Sequence, residues 1–348
     1  MIAARYTQGG KFNVTDIGVP GIGDDDFLLR VEASSICGTD TKILKHGHRK
    51  LRDGQTITLG HEFVGTIEKL GSRLGDHAVG QRVGVAPNLG CGSCEMCGRG
   101  LMNMCPGYSA FGITFDGAHA EFVRIPATAV SQGCVIPVSS TAPATELTLA
   151  EPLSCAVNGI RASRLEMGDI VLVYGAGPMG LLNMMLAGLN GASRVVAVDP
   201  NDQRLAKAAA LGATDTVNPT REPLGEWVRH HTNGRGIDVA IVAAPVRELQ
   251  QEALSLLAPF GRLCLFAGLP RGEPPVALDT NAIHYKNLVV TGMTGGSPRD
   301  YRDALKLIET RRVDVRRIIS DVFPMQQMSA AYERAVSGQG MKIVVESN

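Results

Sequence analysis

The chain has 348 residues, 44% of them hydrophobic and 20% charged, enough to bury a large core and to divide into two domains. Lys plus Arg number 34 and Asp plus Glu 34, so no net charge draws the molecule to nucleic acid or to an anionic membrane, and neither is expected as a partner. The opening residues lack a basic region followed by an apolar one and a cleavage site, so a cytoplasmic location is expected.

Over residues 1–150, short apolar stretches such as Phe27-Leu-Leu-Arg-Val31 and Phe63-Val-Gly-Thr-Ile67 alternate with Gly-rich and Pro-rich turns, the pattern of a β-rich domain. Cys37 lies in Cys37-Gly-Thr-Asp40, and His61 and Glu62 lie in Leu59-Gly-His-Glu62. A thiolate, an imidazole and a carboxylate that leave one position open form the donor set of a catalytic zinc. Taken singly, Cys37 or His61 is more often an inert core residue. Between them runs the basic stretch His46-Gly-His48-Arg49-Lys50, which suits either a substrate phosphate or a solvated loop.

Cys91-Gly-Ser-Cys94-Glu-Met-Cys97 and Cys105 then place four thiols on one short loop. A disulfide framework does not fit a reducing compartment. Four thiolates around one ion leave no open position, so the ion is expected to be structural, with zinc first and iron as the alternative. Phe111, Phe115 and His119 follow, placed either to line a pocket or to fill a core.

From about residue 169 the pattern changes to short β-branched runs at Ile170–Tyr174, 195–198, 239–242, 263–266 and 288–290, separated by helical stretches. Such alternation predicts a parallel, doubly wound sheet. Residues 170–193 carry no charge and are long enough for a membrane span. However, Gly175, Gly177, Pro178 and Gly180 in the middle of the run predict a strand, a tight turn and a helix.

The turn Gly175-Ala-Gly177-Pro178-Met179-Gly180 has glycines where a dinucleotide site needs a tight turn, a close approach to pyrophosphate and close packing of helix on strand. The phosphates would sit at the helix N-terminus. Asp199, 19 residues beyond Gly180, closes the next strand. Its carboxylate would accept the ribose hydroxyls and repel a 2′-phosphate, which favours NAD over NADP. Arg204 is placed either to contact that cofactor or to stand on an exposed helix face. The periodicity of 202–211 predicts a helix stopped by Gly212. Another helix is expected at 301–310, followed by strands near 322 and at 342–346 that return to the first domain.

Cys37-Gly-Thr-Asp40, Gly60-His-Glu62, the four-cysteine loop, Glu151-Pro-Leu153 and Gly175-Ala-Gly-Pro-Met-Gly180 occur in the order found in zinc-dependent medium-chain dehydrogenases. The resemblance covers nearly the whole chain and is strongest to the sorbitol (polyol) and threonine dehydrogenase branch. It implies an α/β fold: a GroES-like β-rich catalytic domain over 1–150, a Rossmann domain over 151–295 and a C-terminal segment, 296–348, that rejoins the catalytic domain. It implies two zinc ions, one structural on Cys91, Cys94, Cys97 and Cys105 and one catalytic in the cleft between the domains. The catalytic ligands carried over are Cys37, His61 and a carboxylate, either Glu62 or Glu151. Thr39 matches the hydroxyl that takes the alcohol proton first, and Asp40 orients the loop.

The resemblance further implies reversible, NAD-linked oxidation of a secondary alcohol to a ketone. A glutamate rather than a cysteine as third ligand is similar to polyol dehydrogenases, so a sugar alcohol or its phosphate is the first expectation. An L-threonine 3-dehydrogenase-like or other secondary-alcohol dehydrogenase activity is the alternative; Lys42 stands two residues after Asp40 where threonine and sorbitol dehydrogenases usually have histidine, which weighs against the threonine reading. A non-catalytic binding protein on the same fold, or a zinc-free NADPH reductase, would not keep Cys37, His61, Glu62, Glu151 and Asp199 together. The resemblance also implies a homodimer or a tetramer of such dimers, with the strand-forming residues at 288–292 pairing across a two-fold axis.

Overall fold

In the computed structural model, which describes residues 1–270 and 272–347, the chain divides into two compact units, Met1–Ser154 with Gly295–Asn348, and Cys155–Thr294. The first is organised around the strand Phe27–Ile36, whose side chains are almost all buried, as a near-continuous apolar run requires of a central strand. It pairs antiparallel with Glu62–Leu70 and with Lys342–Glu346. The C-terminal segment therefore completes the sheet of the first unit. The register sets Ser35 opposite Glu62 on one neighbour and Val344 on the other.

Where this strand ends, Cys37 takes an extended backbone and starts the helix Gly38–His46. Asp40, three residues on, accepts the Cys37 N–H at 2.9 Å, which satisfies an otherwise orphaned donor and fixes the turn. Ile43, Leu51, Leu59, Met328 and Tyr332 belong to one buried cluster that anchors this region. A second helix of the unit, Pro298–Glu309, begins three residues before the position that periodicity alone predicts. Proline at the first helical position and a reciprocal cap between Ser297 and Asp300 set that start.

Among its described residues the second unit holds six parallel strands in the order Asp215–Val217, Arg194–Val198, Ile170–Tyr174, Ile237–Val242, Leu257–Leu265 and Val289–Gly292. The strand order reverses beside Ile170–Tyr174, and doubly wound sheets bind ligands at the carboxyl ends of the strands at such a point. Leu172, Val196, Trp227, Val242 and Leu263 share its core. The uncharged run resolves into the strand Ile170–Tyr174, a turn and the 12-residue helix Pro178–Leu189. Among the described residues no helix is long and apolar enough to cross a membrane. The helix Asp202–Ala210 is capped by the Asn201 side chain and is followed by Gly212 at φ 112°, a left-handed position that suits glycine.

Candidate metal centres and nucleotide site

Three donor side chains converge in the first unit: Cys37 from the end of the central strand, His61 from the turn after Leu59, and Glu62 from the first position of its strand. The donor atoms all lie within 4.8 Å of one another. A single ion with bonds of about 2.0–2.3 Å can reach all three after small adjustments. Gly60 makes the turn possible: it sits at φ 97°, and a Cβ there would lie 2.7 Å from the backbone nitrogen of His119.

Behind the trio, Asp40 is fully buried, with its carboxylate 3.6 Å from His61 Nδ1 and 3.5 Å from His119 Nε2. Burial alone would push its carboxyl up, but the two imidazoles hold it well below the usual carboxylate range. Burial likewise works against a charged His61, yet Cys37 and Asp40 hold the imidazole well above its ordinary value. These groups draw positive charge into a dry site, which fits a divalent cation. A carboxylate behind a histidine also fixes the ring for ligation through its other nitrogen. Asp40 thus acts through the cap and His61, as an orienting residue.

The two oxygens of Glu62 have different surroundings. Oε2 accepts from Ser35 Oγ and pairs with Lys342 Nζ, whereas Oε1 is buried with no hydrogen-bond partner among the described residues. A buried carboxylate oxygen without a partner is costly, and a cation supplies the missing interaction. Glu151, the other carboxylate considered from sequence, is buried in the first turn of the helix Ala150–Ala162 and is not a member of the trio. Thr39 is half-buried in the first turn of Gly38–His46, and Lys42, further along that helix, is exposed.

The thiols of Cys91, Cys94, Cys97 and Cys105 also lie within 4.8 Å of one another. Cys94 Sγ is 3.6 Å from Cys97 Sγ and 3.7 Å from Cys105 Sγ. Tetrahedral bonds of about 2.3 Å to zinc place sulfurs ~3.8 Å apart, so the spacing is that of one ion. A multi-iron cluster, whose thiolates bind different irons, needs a wider ring. Burial pushes the Cys97 thiol up to about 11, while the backbone N–H groups of Ser93 and Cys94 lower Cys91 to about 6. Gly90 leaves room for this arrangement, because a Cβ there would lie 2.3 Å from Cys97 Sγ.

The basic stretch is not a uniform patch. Lys50 Nζ donates to the Tyr108 carbonyl and sits 3.5 Å over that ring, leaving Arg49 and His46 as its exposed members. Phe111 is fully buried between Phe63 and Phe115, with ring centroids at 5.5 Å and 6.1 Å, so it fills core. His119 is equally buried, with Nδ1 2.9 Å from Ser34 Oγ.

In the second unit, Gly177 caps the helix that begins at Pro178, and Met179 is half-buried in its first turn. A Cβ on Gly180 would lie 1.7 Å from the Gly175 carbonyl oxygen, which enforces glycine for helix-on-strand packing. A Cβ on Gly177 would meet nothing within 4 Å, so the helix N-terminus stands open to an anion. Gly175 itself has φ 93°. Asp199 accepts the Ala176 N–H at 2.8 Å and the Asn201 N–H at 2.9 Å, which holds its carboxylate beside the glycine turn. Arg204 extends to 4.0 Å from the same carboxylate with 42% of its side chain exposed.

Sequence reasoning did not single out Ser35, Lys342 or Tyr332. Tyr332 is buried with its ring edge-on to His119 at 5.5 Å, in the cluster that holds Ile43. The only local signal for Lys342 is a charge at the head of an apolar strand.

Two family models match, an alcohol dehydrogenase GroES-like domain over residues 23–137 and a zinc-binding dehydrogenase over residues 178–310. The L-threonine 3-dehydrogenase of Caldanaerobacter subterraneus subsp. tengcongensis is 32% identical over 347 residues, covering 99% of this chain and 97% of its own. The enzyme of the same name from Bacillus subtilis is 31% identical, covering 98% and 97%. The chain belongs to the zinc-dependent medium-chain dehydrogenases. Among solved structures, a protein assigned as a zinc-binding dehydrogenase from Sinorhizobium meliloti 1021, with NADP bound, matches this dehydrogenase with a TM-score of 0.91 at 30% identity, covering 99% and 98%. Galactitol-1-phosphate dehydrogenase from Escherichia coli shares the fold, with a TM-score of 0.88 at 24% identity over 99% and 100% of the two chains. Zinc and a nicotinamide dinucleotide are the family's cofactors, and each of the two donor clusters could hold a metal ion.

Proposed function

We propose that this dehydrogenase oxidises the secondary alcohol of a small 2-amino-3-hydroxy acid of the L-threonine type, with NAD as hydride acceptor. The observation that carries the dehydrogenase reading is the convergence of Cys37, His61 and the partnerless oxygen of Glu62 within 4.8 Å. The substrate class rests on curated relatives matched over nearly the full length at 31–32% identity. The sugar-alcohol expectation has less behind it. The galactitol-1-phosphate enzyme is 24% identical and shares the fold alone, and the basic stretch that suggested a phosphate has Lys50 committed to Tyr108.

In this reading Cys37, His61 and Glu62 hold the catalytic zinc, with Glu151 outside the first set of ligands. Zinc, when bound, is a Lewis acid that lowers the pKa of a substrate hydroxyl. Asp40 keeps the His61 ring oriented, and Thr39, two residues after Cys37, is the first hydroxyl placed to receive the alcohol proton. The reaction removes a hydride from the carbinol carbon, to the nicotinamide, and a proton from its hydroxyl, to solvent. Cys91, Cys94, Cys97 and Cys105 hold the second, structural zinc.

The test is NADH formation by zinc-loaded protein on L-threonine, polyols, polyol phosphates and simple secondary alcohols. The highest kcat/KM is expected with L-threonine or a close 2-amino-3-hydroxy acid. Turnover confined to a polyol class would replace the substrate assignment, and silence throughout with both metals bound would remove the dehydrogenase reading itself.

Asp199 provides a second check. In this reading its carboxylate accepts the ribose hydroxyls of NAD and repels a 2′-phosphate. Asp199→Asn is expected to lower kcat/KM with NAD about tenfold, the loss of roughly one charge-assisted hydrogen bond, and to narrow the preference over NADP. An unchanged NAD-to-NADP ratio in a stably folded variant would dissociate Asp199 from cofactor choice.

A further inference from the structure

The surroundings of Glu62 carry an inference that rests on Glu62 being a metal ligand. Lys342 Nζ is buried, pairs with Glu62 Oε2 and donates to the Ile36 carbonyl at 3.2 Å. Ser35 Oγ donates to the same Oε2. Two donors therefore converge on one oxygen, and the other, Oε1, is left buried and partnerless inside the metal-ligating trio. Both donors come from strands adjacent in the sheet: Ser35 lies opposite Glu62 on the central strand, and Lys342 opens the strand Lys342–Glu346 on its far side.

Placing a lysine ammonium in a dry site is unfavourable unless an anion matches it. Here a carboxylate matches it, and the second oxygen of that carboxylate, without a partner among the described residues, is left to bind a cation. The ion pair also restricts the carboxylate. With Oε2 held by Lys342 and Ser35, rotation of the Glu62 side chain to chelate through both oxygens, or to swing away from the trio, requires breaking both contacts.

We propose that Lys342 is a positioning residue for the catalytic metal: with Ser35 it holds Glu62 Oε2 and thereby presents Oε1 as a single coordinating oxygen, so that the C-terminal segment controls metal retention at this site. Outer partners of ligating carboxylates typically contribute about 10- to 100-fold to metal affinity.

The experiment compares Lys342→Met, Lys342→Arg and Ser35→Ala in the full-length protein, with the metal itself as probe. Zinc retention is measured against a chelator of graded strength, and the catalytic site is then loaded with cobalt for its visible absorption spectrum. Lys342→Met is expected to weaken the catalytic metal about 10- to 100-fold and to alter the cobalt bands, while the four-cysteine metal is retained. Lys342→Arg keeps a cation that can reach Oε2 and is expected to recover part of the affinity. Ser35→Ala, a small change, is expected to shift the cobalt bands in the same direction and decides the matter if Lys342→Met does not fold.

Wild-type affinity and an unchanged spectrum in the folded variants would overturn the proposal. Glu62→Gln separates this from failure of the underlying assignment. If Glu62→Gln weakens metal binding and Lys342→Met does not, the positioning role alone is lost. If Glu62→Gln leaves affinity and spectrum unchanged, Glu62 is not a ligand and both readings fall.

Discussion

Replacing His61 by alanine is expected to lower kcat by about three orders of magnitude or more and to remove one zinc per chain, leaving the four-cysteine metal in place. The size follows from what the metal supplies. Lewis-acid activation of a hydroxyl is worth several kcal/mol in the transition state, and each ~1.4 kcal/mol is a factor of ten in rate. His61 is one of only three donors in the trio and the one that Asp40 orients, so the remaining Cys37 and Glu62 cannot replace it by a small shift. Folding is expected to suffer less. The substitution removes a buried partner of Asp40, but that carboxylate keeps the Cys37 N–H and the His119 ring. The measurement is kcat beside metal content and thermal stability. A kcat within tenfold of wild type, with the metal gone, would mean that the trio is not the reactive centre.

How much of this was legible beforehand depended on sequence distance. The strand, glycine turn and helix around Gly175, Gly177 and Gly180 were readable because these parts are contiguous. Strand, three glycines, helix and Asp199 fall within one stretch, and the observed contacts, Gly180 against the Gly175 carbonyl and Asp199 on the Ala176 N–H, are local consequences of it. The four thiols were readable for the same reason, since a short loop can only bring them together.

Which carboxylate lies beside Cys37 and His61 was not readable, because the sheet register places Glu62 there. That register is set by strands from distant parts of the chain. Lys342 lies 306 positions from Ile36, the residue whose carbonyl it contacts, and no periodicity in either segment announces the pairing. The basic stretch shows the same limit. A run of His, Arg and Lys reads as a charged loop, and only the fold reveals that Tyr108, 58 positions from Lys50, takes one of its charges. The helix Pro298–Glu309 shows a milder form, in which apolar periodicity located the body while the cap chemistry of Ser297, Pro298 and Asp300 set the true start.

The second large effect is expected at the structural metal and is one of stability. Cys97→Ser should release that ion and lower Tm by about 8–16 °C, because loss of a structural metal belongs among the mutations costing about 4 kcal/mol or more and each kcal/mol moves a domain of this size by roughly 2–4 °C. Cys97 is the informative position. It is buried, and burial pushes its thiol up to about 11, so the thiolate that the metal requires is costly to form without the metal. The loop has anchors of its own: Gly90 exchanges hydrogen bonds with the Gln132 side chain at 2.8 Å in both directions, and Leu89 and Met102 are buried. Opening is therefore expected to be local, with faster amide exchange through residues 91–105 and little change in the second unit. Gly90→Ala tests the same packing from the other side, since its Cβ would lie 2.3 Å from Cys97 Sγ and must displace that sulfur. The sign with pH is fixed by the chemistry of the ligands: binding releases thiol protons, so acidification favours the empty loop and metal retention should fall as pH falls. If the wild-type protein carries no metal on the four cysteines and both variants melt with it, the four cysteines are a packed cluster with no structural ion to lose.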